Sequence, residues 1–473
     1  MIDTALIRAK ILEQAVLGEL SKEFSSSEDS LTELKKYKGR DIREAEGEVP
    51  YELKQGWHWF MLSDLGTDDR YSFADGPFGS NLKKEHYTDK NEVRIIQLSN
   101  VGELGWKNDN VKYTTFEHLT AIQRSEVKAG NIVIAKMMPA GRAIIVPDVN
   151  EKYVLSSDCV KFVPCELLNT KFICYAINSS MFRKQVLQDV HGIGRERTSL
   201  SKLKSYLLPI PSKEEQDYIV KKIDMAYEQL ALLDVLQTQY LADLEVLKSK
   251  IIDAGIQGKL TEQLLEDGTA EELLKQIAEE KKQLVKEKKI KPTKALPEIT
   301  EDEIPFNIPP NWKFVRLGEV LNEIIVPQRD KPKVFDGDIP WCRIEDAEGI
   351  YLRRSLSNQN VSQATVDEMN LRVCPKGTIL SACSGASIGR ILITESELCT
   401  NQTFNGLVCS SGLYNKYLFY YMNHMIDKLR KMGTGAAMAY ISQDKTAKMV
   451  IPFPPYNEQV RIVDKIDRIM DLI

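Results

Sequence analysis

The chain has 473 residues, of which 43% are apolar and 28% charged, and its net charge is −5. That composition excludes a disordered or collagen-like chain, and the length asks for about three folding units at roughly 150 residues each. No apolar run approaches the ~20 residues that cross a bilayer.

The start, Met1 to Arg8, lacks the basic head and long apolar core of a secretory leader, so a cytoplasmic protein without membrane attachment is expected. In residues 1–56, Lys10-Ile11-Leu12 through Leu20-Ser21 reads as the end of a helix, with Ile7 and Ile11 on its apolar side. A short polar stretch near Ser25 to Asp29 follows.

Residues 57–208 form a first block rich in β-branched runs, among them Val93–Leu98, Asn131–Ala135 and Ala143–Val146. A helix is expected near Thr170 to Gln188. Residues 209–311 are helical. Ser212-x-x-Glu215 reads as a capping box behind Pro211. An unbroken seam then runs through Ile219, Ile223, Ala226, Leu230, Leu233, Gln237, Tyr240, Leu244, Leu247 and Ile251, alternating steps of four and three. Gly255 and Gly258 mark its end, giving a helix of roughly 65 Å at ~1.5 Å per residue. Gln237 is a polar interruption that fixes register. A second helix starts at the box Thr269-x-x-Glu272, and its charged run Glu279 to Lys289 reads as a solvated face. Lys291 to Pro297 is a linker. Residues 312–451 form a second block, with strands at Thr378–Leu380 and Arg390–Ile393 and a helix near Lys416 to Lys431. Residues 452–473 begin another helix.

Three stretches recur. Leu208–Asp224 returns as Ile451–Asp467 at an offset of 243, keeping both prolines and the Glu-Gln pair. Lys10–Ser21 matches Lys250–Thr261 at an offset of 240. Val49, Pro50, Tyr51, Trp57, Trp59 and Leu62 match Ile304, Pro305, Phe306, Trp312, Phe314 and Leu317 at an offset of 255. The chain is therefore a duplication of a domain-sized unit. One copy of the seam helix is whole. The other is split: Ile462, Ile466 and Ile469 supply its first turns at the C-terminus, and Ile7 and Ile11 its last turns at the N-terminus. Both ends are expected to pack on the central helix, with a second copy of the protein as the alternative partner. Between repeats the blocks agree only at posts: Gly130 and Gly141-Arg142 against Gly377 and Gly389-Arg390, and Gly192 and Ser199 against Gly435 and Ser442.

Catalytic patterns are lacking. Phe453 precedes Pro454-Pro455-Tyr456 where an amino-methyltransferase needs an amide or carboxylate. Gly385 to Arg390 lacks the Lys-Ser/Thr of a phosphate loop. The eight cysteines make no CxxC pair and read as buried reduced thiols, and the five histidines make no zinc pattern. Charge separates by region: residues 57–208 hold 20 Lys+Arg against 17 Asp+Glu, and residues 312–451 hold 17 against 14. Two mildly basic blocks sit on an acidic frame, which removes the objection that an acidic total raises against a polyanion partner.

Together these features resemble the specificity subunit of type I restriction–modification enzymes. The residues that carry the resemblance are Pro209 to Gln216 and Pro452 to Gln459, Gly258 to Thr261, Pro309 to Trp312, Gly76-Pro77-Phe78-Gly79-Ser80, Ile339-Pro340-Trp341 and Thr400-Asn401-Gln402. The resemblance implies an α+β chain with a pseudo-twofold repeat, two mixed α/β target-recognition domains separated by an antiparallel, coiled-coil-like pair of helices. It implies a non-catalytic subunit whose two domains each read half of a bipartite double-stranded DNA site. Its partners would be two methyltransferase subunits and restriction subunits, which bind S-adenosylmethionine, ATP and magnesium; no metal or cofactor is expected on this chain. Candidate DNA contacts are Lys83, Lys84, Arg94, Gln97, Asn100, Lys136, Arg142, Arg195 and Arg197 in the first block. In the second they are Arg329, Lys331, Arg343, Arg353, Arg354, Arg390, Gln402 and Lys445. A reader serving a different modification enzyme, or a coiled-coil scaffold that binds no DNA, would share the repeat.

Overall fold

The computed structural model describes residues 1–25, 28–39, 42, 49–137, 140–149, 151–188, 197–433 and 439–473. The chain divides into two compact units, Met1–Thr238 and Gln239–Ile473. The first holds α1 (Thr4–Val16), α2 (Thr170–Asn178), α3 (Ser180–Gln188) and the first half of α4 (Lys213–Ile256, 44 residues). The second holds the rest of α4, α5 (Ala270–Lys286), α6 (Asn415–His424), α7 (Ile426–Met432) and α8 (Tyr456–Met470).

Block one contributes β1 (Phe73–Asp75), β2 (Val93–Ile96), β3 (Tyr113–Thr114), β4 (Glu126–Val127), β5 (Ile132–Ala135), β6 (Ala143–Ile145), β7 (Lys152–Leu155) and β8 (Cys159–Phe162). Block two contributes β9 (Leu321–Ile325), β10 (Ile339–Cys342), β11 (Asn360–Val361), β12 (Val373–Cys374), β13 (Ile379–Ala382), β14 (Ile391–Thr394), β15 (Leu398–Thr400) and β16 (Phe404–Cys409). The apolar runs read from the sequence lie on β2, β5, β6, β13 and β14.

Adding eight to each of these strand numbers maps the shared strands of one block onto the other, while Tyr87–Thr88 beside β3 in block one and Tyr351–Leu352 beside β14 in block two extend different sheets. The order β6-β5-β8-β1 becomes β14-β13-β16-β9, and β3-β2-β7-β4 becomes β11-β10-β15-β12. The parallel pair β2–β7 reappears as β10–β15, in each case followed by an antiparallel neighbour. Each block is closed by a two-stranded staple. His58–Met61 pairs with Leu207–Ile210, placing Trp59 opposite Pro209, and Lys313–Arg316 pairs with Val450–Phe453, placing Phe314 opposite Pro452. Phe60, Leu208, Ile451 and Phe453 are fully buried there, each worth about 1.5–3 kcal/mol of hydrophobic stabilisation.

The termini pack on α4 within their own units. α1 runs antiparallel to it: Arg8 pairs with Asp234 at 2.8 Å, Thr4 Oγ1 donates to the same carboxylate, and Gln237 both accepts from Ile2 N–H (2.6 Å) and donates to its carbonyl (3.2 Å). The polar seam residue thus holds the end of the partner helix. The buried stripe of α1 is Thr4, Arg8, Leu12, Ala15 and Val16. Ile7 and Ile11 are only partly covered, because the Asp234 contacts turn Thr4 and Arg8 inward. At the other end Ile462 and Ile466 of α8 are fully buried against Gly255, where a Cβ would come within 3.0 Å of each. Gly255 is thus a close-approach point inside the helix, and Ile469 packs on the edge of the same core. Along the seam Ile219, Ile223, Leu230 and Ile251 are buried, whereas Leu233, Gln237 and Leu244 are partly exposed and Leu247 is exposed.

Local expectations are refined in four places. Ser212 Oγ accepts from Glu215 N–H, but the Glu215 carboxylate turns to Lys54 (2.7 Å), so only half of that box forms. The box at Thr269 and Glu272 forms completely. Each expected block helix is two helices: extended Ser179 ends α2, its Oγ accepting from Phe182 N–H, and Met425 separates α6 from α7. The charged run of α5 is not uniformly solvated. Lys281 Nζ donates to the carbonyls of Gly318 and Glu319, and Glu280 accepts from Asn322 and Ser411, because both flank the apolar face that packs on block two. Among the described residues no helix is long and apolar enough to cross a membrane. The eight cysteines are free and seven are buried. Burial pushes thiols such as Cys383 and Cys399 up to about 11, out of the reactive range.

Candidate nucleic-acid interface

The repeated motifs build the joint that fixes each block to its helix. Gln216 donates Nε2–H to Pro211 O (2.9 Å) and accepts from Asn169 N–H (2.8 Å) at the start of α2. Gln459 donates to Pro454 O (2.9 Å) and Gly412 O (3.0 Å), and accepts from Tyr414 N–H (2.8 Å) at the start of α6. Asp224 accepts from Lys171 Nζ and Tyr175 OH, both at 2.6 Å; Asp467 accepts from Lys416 Nζ (3.0 Å) and Tyr420 OH. Gly18 and Gly258 carry φ of +75° and +70°, and each lies against the indole of the third repeat, Trp57 or Trp312. A side chain at Gly258 would meet Pro309 at 2.5 Å. The Glu-Gln pair, the glycines and the tryptophans are thus one mount used twice.

The faces that do differ between blocks are the turns leaving the sheets. After β2 and β10 the chain makes the same one-turn 3-10 helix. Its capping position is Gln97 in block one and Arg343 in block two, and its last residue is buried Asn100 or Asp346. Asn100 Oδ1 accepts from Gln97 N–H (2.8 Å) and Asp346 Oδ2 from Arg343 N–H (2.7 Å). One scaffold therefore presents a carboxamide in one block and a guanidinium in the other at equivalent, half-buried posts.

The predicted contacts separate into supports and free groups. Arg94 is 1% exposed, lies over the rings of Trp106 (6.0 Å) and Tyr113 (5.7 Å), and donates to Asn108 Oδ1 (3.2 Å). Asn100 donates to Lys107 O and Asp109 O, and Gln97 pairs with Asn110. Arg94 and Asn100 hold up the loop 107–111, and Gln97 meets its exposed edge; the loop's exposed Lys107, Asn108 and Asn110 were missed by sequence reasoning because they follow no apolar run. Lys136 is buried and committed to Asp75 at 2.5 Å, and Lys445 Nζ donates to Met432 O (2.9 Å). Arg343, Arg353 and Arg354 stand beside Glu345, Glu395 and Glu348, and Lys83 is 3.6 Å from Glu85. Lys331 lies over Phe335 (5.6 Å) and Trp341 (5.5 Å). Lys84, Arg197, Arg329, Arg390 and Gln402 are exposed, with no side-chain bond to a described residue. Arg142 is 3.9 Å from Glu103. Arg195 lies outside the described residues.

The comparisons with known proteins agree with this arrangement. A family model described as the type I restriction modification DNA specificity domain matches twice, over residues 79–238 and 309–473. The specificity subunit of the type I restriction enzyme EcoEI from Escherichia coli is 24% identical over 98% of this chain and 88% of its own length. That of EcoAI, also from Escherichia coli, is 26% identical over 67% of this chain and 62% of its own. Among solved structures, a chain from work on complex assembly and conformational transition of the type I R-M system superposes with a TM-score of 0.60 at 19% identity, covering 89% of this chain and 92% of that one. The HsdS subunit from Thermoanaerobacter tengcongensis superposes with a TM-score of 0.52 at 19% identity, covering 90% and 92%. At such identities the superpositions speak for the fold.

Proposed function

Because this chain belongs to the type I restriction–modification DNA specificity family, we propose that it is the DNA-recognition subunit of such a complex, each block reading one half of a bipartite double-stranded site. The observation that carries the reading is the duplicated two-sheet scaffold with unlike side chains at like posts, above all Gln97 and Arg343. A carboxamide matches adenine and a guanidinium matches guanine in the major groove, so the two posts suit different half-sites. Lys83, Lys84, Arg197, Arg329, Lys331, Arg353, Arg354, Arg390 and Gln402 supply the surrounding contacts. Arg94, Asn100, Lys136 and Lys445 act indirectly, by holding the turns in place.

On α4, Leu232, Val235 and Leu236 in the first unit and Tyr240, Leu241 and Val246 in the second are exposed apolar side chains. Such a run on a soluble helix marks a protein contact. The reading assigns it to the methyltransferase subunits, two per complex, to which restriction subunits add. S-adenosylmethionine, ATP and magnesium then belong to those partners in the cytoplasm, and this chain contributes recognition without catalysis. The boundaries 57–208 and 312–451 delimit the two readers.

Co-expression with a type I methyltransferase subunit from the same organism, followed by mapping of methylated bases across the genome, tests the function. A split motif with a fixed spacer is expected. A continuous motif, or no methylation, overturns it.

A further inference from the structure

The mount and the posts leave the motif Gly76-Pro77-Phe78-Gly79-Ser80 without a task. It follows the edge strand β1 and is fixed at both ends. At its entry the Asp75 carboxylate accepts from Lys136 Nζ (2.5 Å), and the Asp75 carbonyl accepts from Ser125 Oγ (3.0 Å). Gly76 N–H donates to Cys159 O (3.0 Å), and a Cβ on Gly76 would lie 1.7 Å from Ser156 O, so only glycine passes there. Gly76 and Pro77 are buried, and the pyrrolidine ring locks the backbone just before Phe78. At the exit Asn81 N–H donates to Phe78 O (2.7 Å), and Asn81 O accepts from His118 Nε2 (2.8 Å).

Phe78 stands on this braced turn with 79% of its surface exposed, more than any other aromatic side chain among the described residues. A ring held out on a turn that is already ordered loses little freedom when it is covered, which suits a contact. The carbonyl that crowds Gly76 belongs to Ser156, whose N–H donates to Ile96 O (2.8 Å), and Ile96 precedes the post at Gln97. The turn therefore lies at the carboxyl ends of the parallel pair β2–β7, where the block presents its reading post. Ser80, Asn81, Lys83 and Lys84 follow as exposed side chains, and Glu85, 3.6 Å from Lys83, is the one acid in residues 79–88.

A lone ring in a polar and basic surround is too small for a protein interface. It matches the gap between two base pairs, which is apolar on both faces and flanked by phosphates. The segment after β9 in block two, residues 326–334, carries no aromatic residue. We propose that Phe78 is a wedge that enters a base step of the half-site read by block one and partly unstacks it, and that block two has no counterpart in that segment. The proposal rests on the DNA-reading function above and assigns Phe78 to it.

The test uses the complex with its methyltransferase subunits and duplexes bearing the methylated motif, with 2-aminopurine, which brightens when it loses a stacking neighbour, placed in turn along both halves and their flanks. The block-one half is the one that persists when residues 312–451 are exchanged. A step in or beside that half should brighten severalfold on binding. Phe78→Ala should abolish the brightening at that step, and Phe78→Leu should keep most of it, since leucine also wedges. Phe78→Ala should weaken binding by about tenfold, the scale of one lost base–aromatic stack. The slope of log affinity against log salt should not change, because no charge is removed. Brightening that survives Phe78→Ala, or none in the block-one half, overturns the wedge. So does an affinity loss that tracks removal of a thymine methyl group without brightening, which would make Phe78 a reader of the groove surface. Loss of methyltransferase co-purification in Phe78→Ala overturns it too, by making the ring a protein contact. Binding by the unsubstituted complex without Phe78-dependent brightening refutes the wedge alone; no binding by the unsubstituted complex refutes the DNA reading and the wedge with it.

Discussion

Gln216 and Gln459 perform one task 243 positions apart: each closes a helix entry on itself and caps the first helix that follows the sheets of its block. Both amides are buried, so truncation leaves main-chain groups unsatisfied. Gln216→Ala and Gln459→Ala should each destabilise their own unit by ~1–3 kcal/mol, read by calorimetry. The larger effect is expected from Gln459→Ala, whose amide also donates to Gly412 O. Nearby, Glu33 sits beside Glu28 and Glu214 at the start of α4, and burial together with the hydrogen bond to Glu28 pushes its carboxyl up to about 7 from the usual 4.5. The folded state therefore holds this proton more tightly than the unfolded one. The associated stability is full below about 4.5 and is lost as pH rises towards about 7. Glu33→Gln should raise the melting temperature at pH 8, by the equivalent of about 1 kcal/mol once solvent screening is allowed for, and should change nothing at pH 4.

The helix α4 shows what a sequence pattern records and what it omits. The capping box at Ser212 and the glycines Gly255 and Gly258 bracketed its ends, and the alternation of four and three located the buried positions Ile219, Ile223, Leu230 and Ile251. It could not show which molecule covers each stretch. α1 and α8 cover the two ends, and the stretch from Leu232 to Leu247 keeps Leu241 and Val246 exposed at 44% and 53%. Nor did the pattern reveal the stripe of Leu232, Val235 and Leu236, which lies off the seam. Leu241→Asp and Val246→Asp should leave the melting temperature of the isolated chain within about 1 °C, as surface changes do. If the helix docks the methyltransferase, the same variants should lose its co-purification, and retention at the normal yield would remove that assignment.

For the whole molecule, duplication was legible because the mount repeats its prolines, Glu-Gln pair, glycine and tryptophan in register, while the equivalence of the blocks was not. Eight strands of each block align, yet the side chains filling them diverge, since a strand needs only alternate burial and not particular residues. The reading site was legible in part. Gly141-Arg142 and Gly389-Arg390 stood out as posts, but whether an arginine is buried like Arg94 or free like Arg329 depends on neighbours distant in the sequence. Replacing residues 312–451 with the corresponding block of a relative should change one half of the methylated motif and leave the other intact, read by the same mapping. A change in both halves would contradict independent readers. The two staples carry this further. Because Trp59 faces Pro209 and Phe314 faces Pro452, a block's chain enters and leaves through neighbouring strands, like the two pins of a plug. The coding stretches for those pins are also the repeated ones. Genetic exchange between them would deliver a whole reader with its connections already matched. A lineage could then acquire a new half-target in a single recombination, without a period of misfolded intermediates.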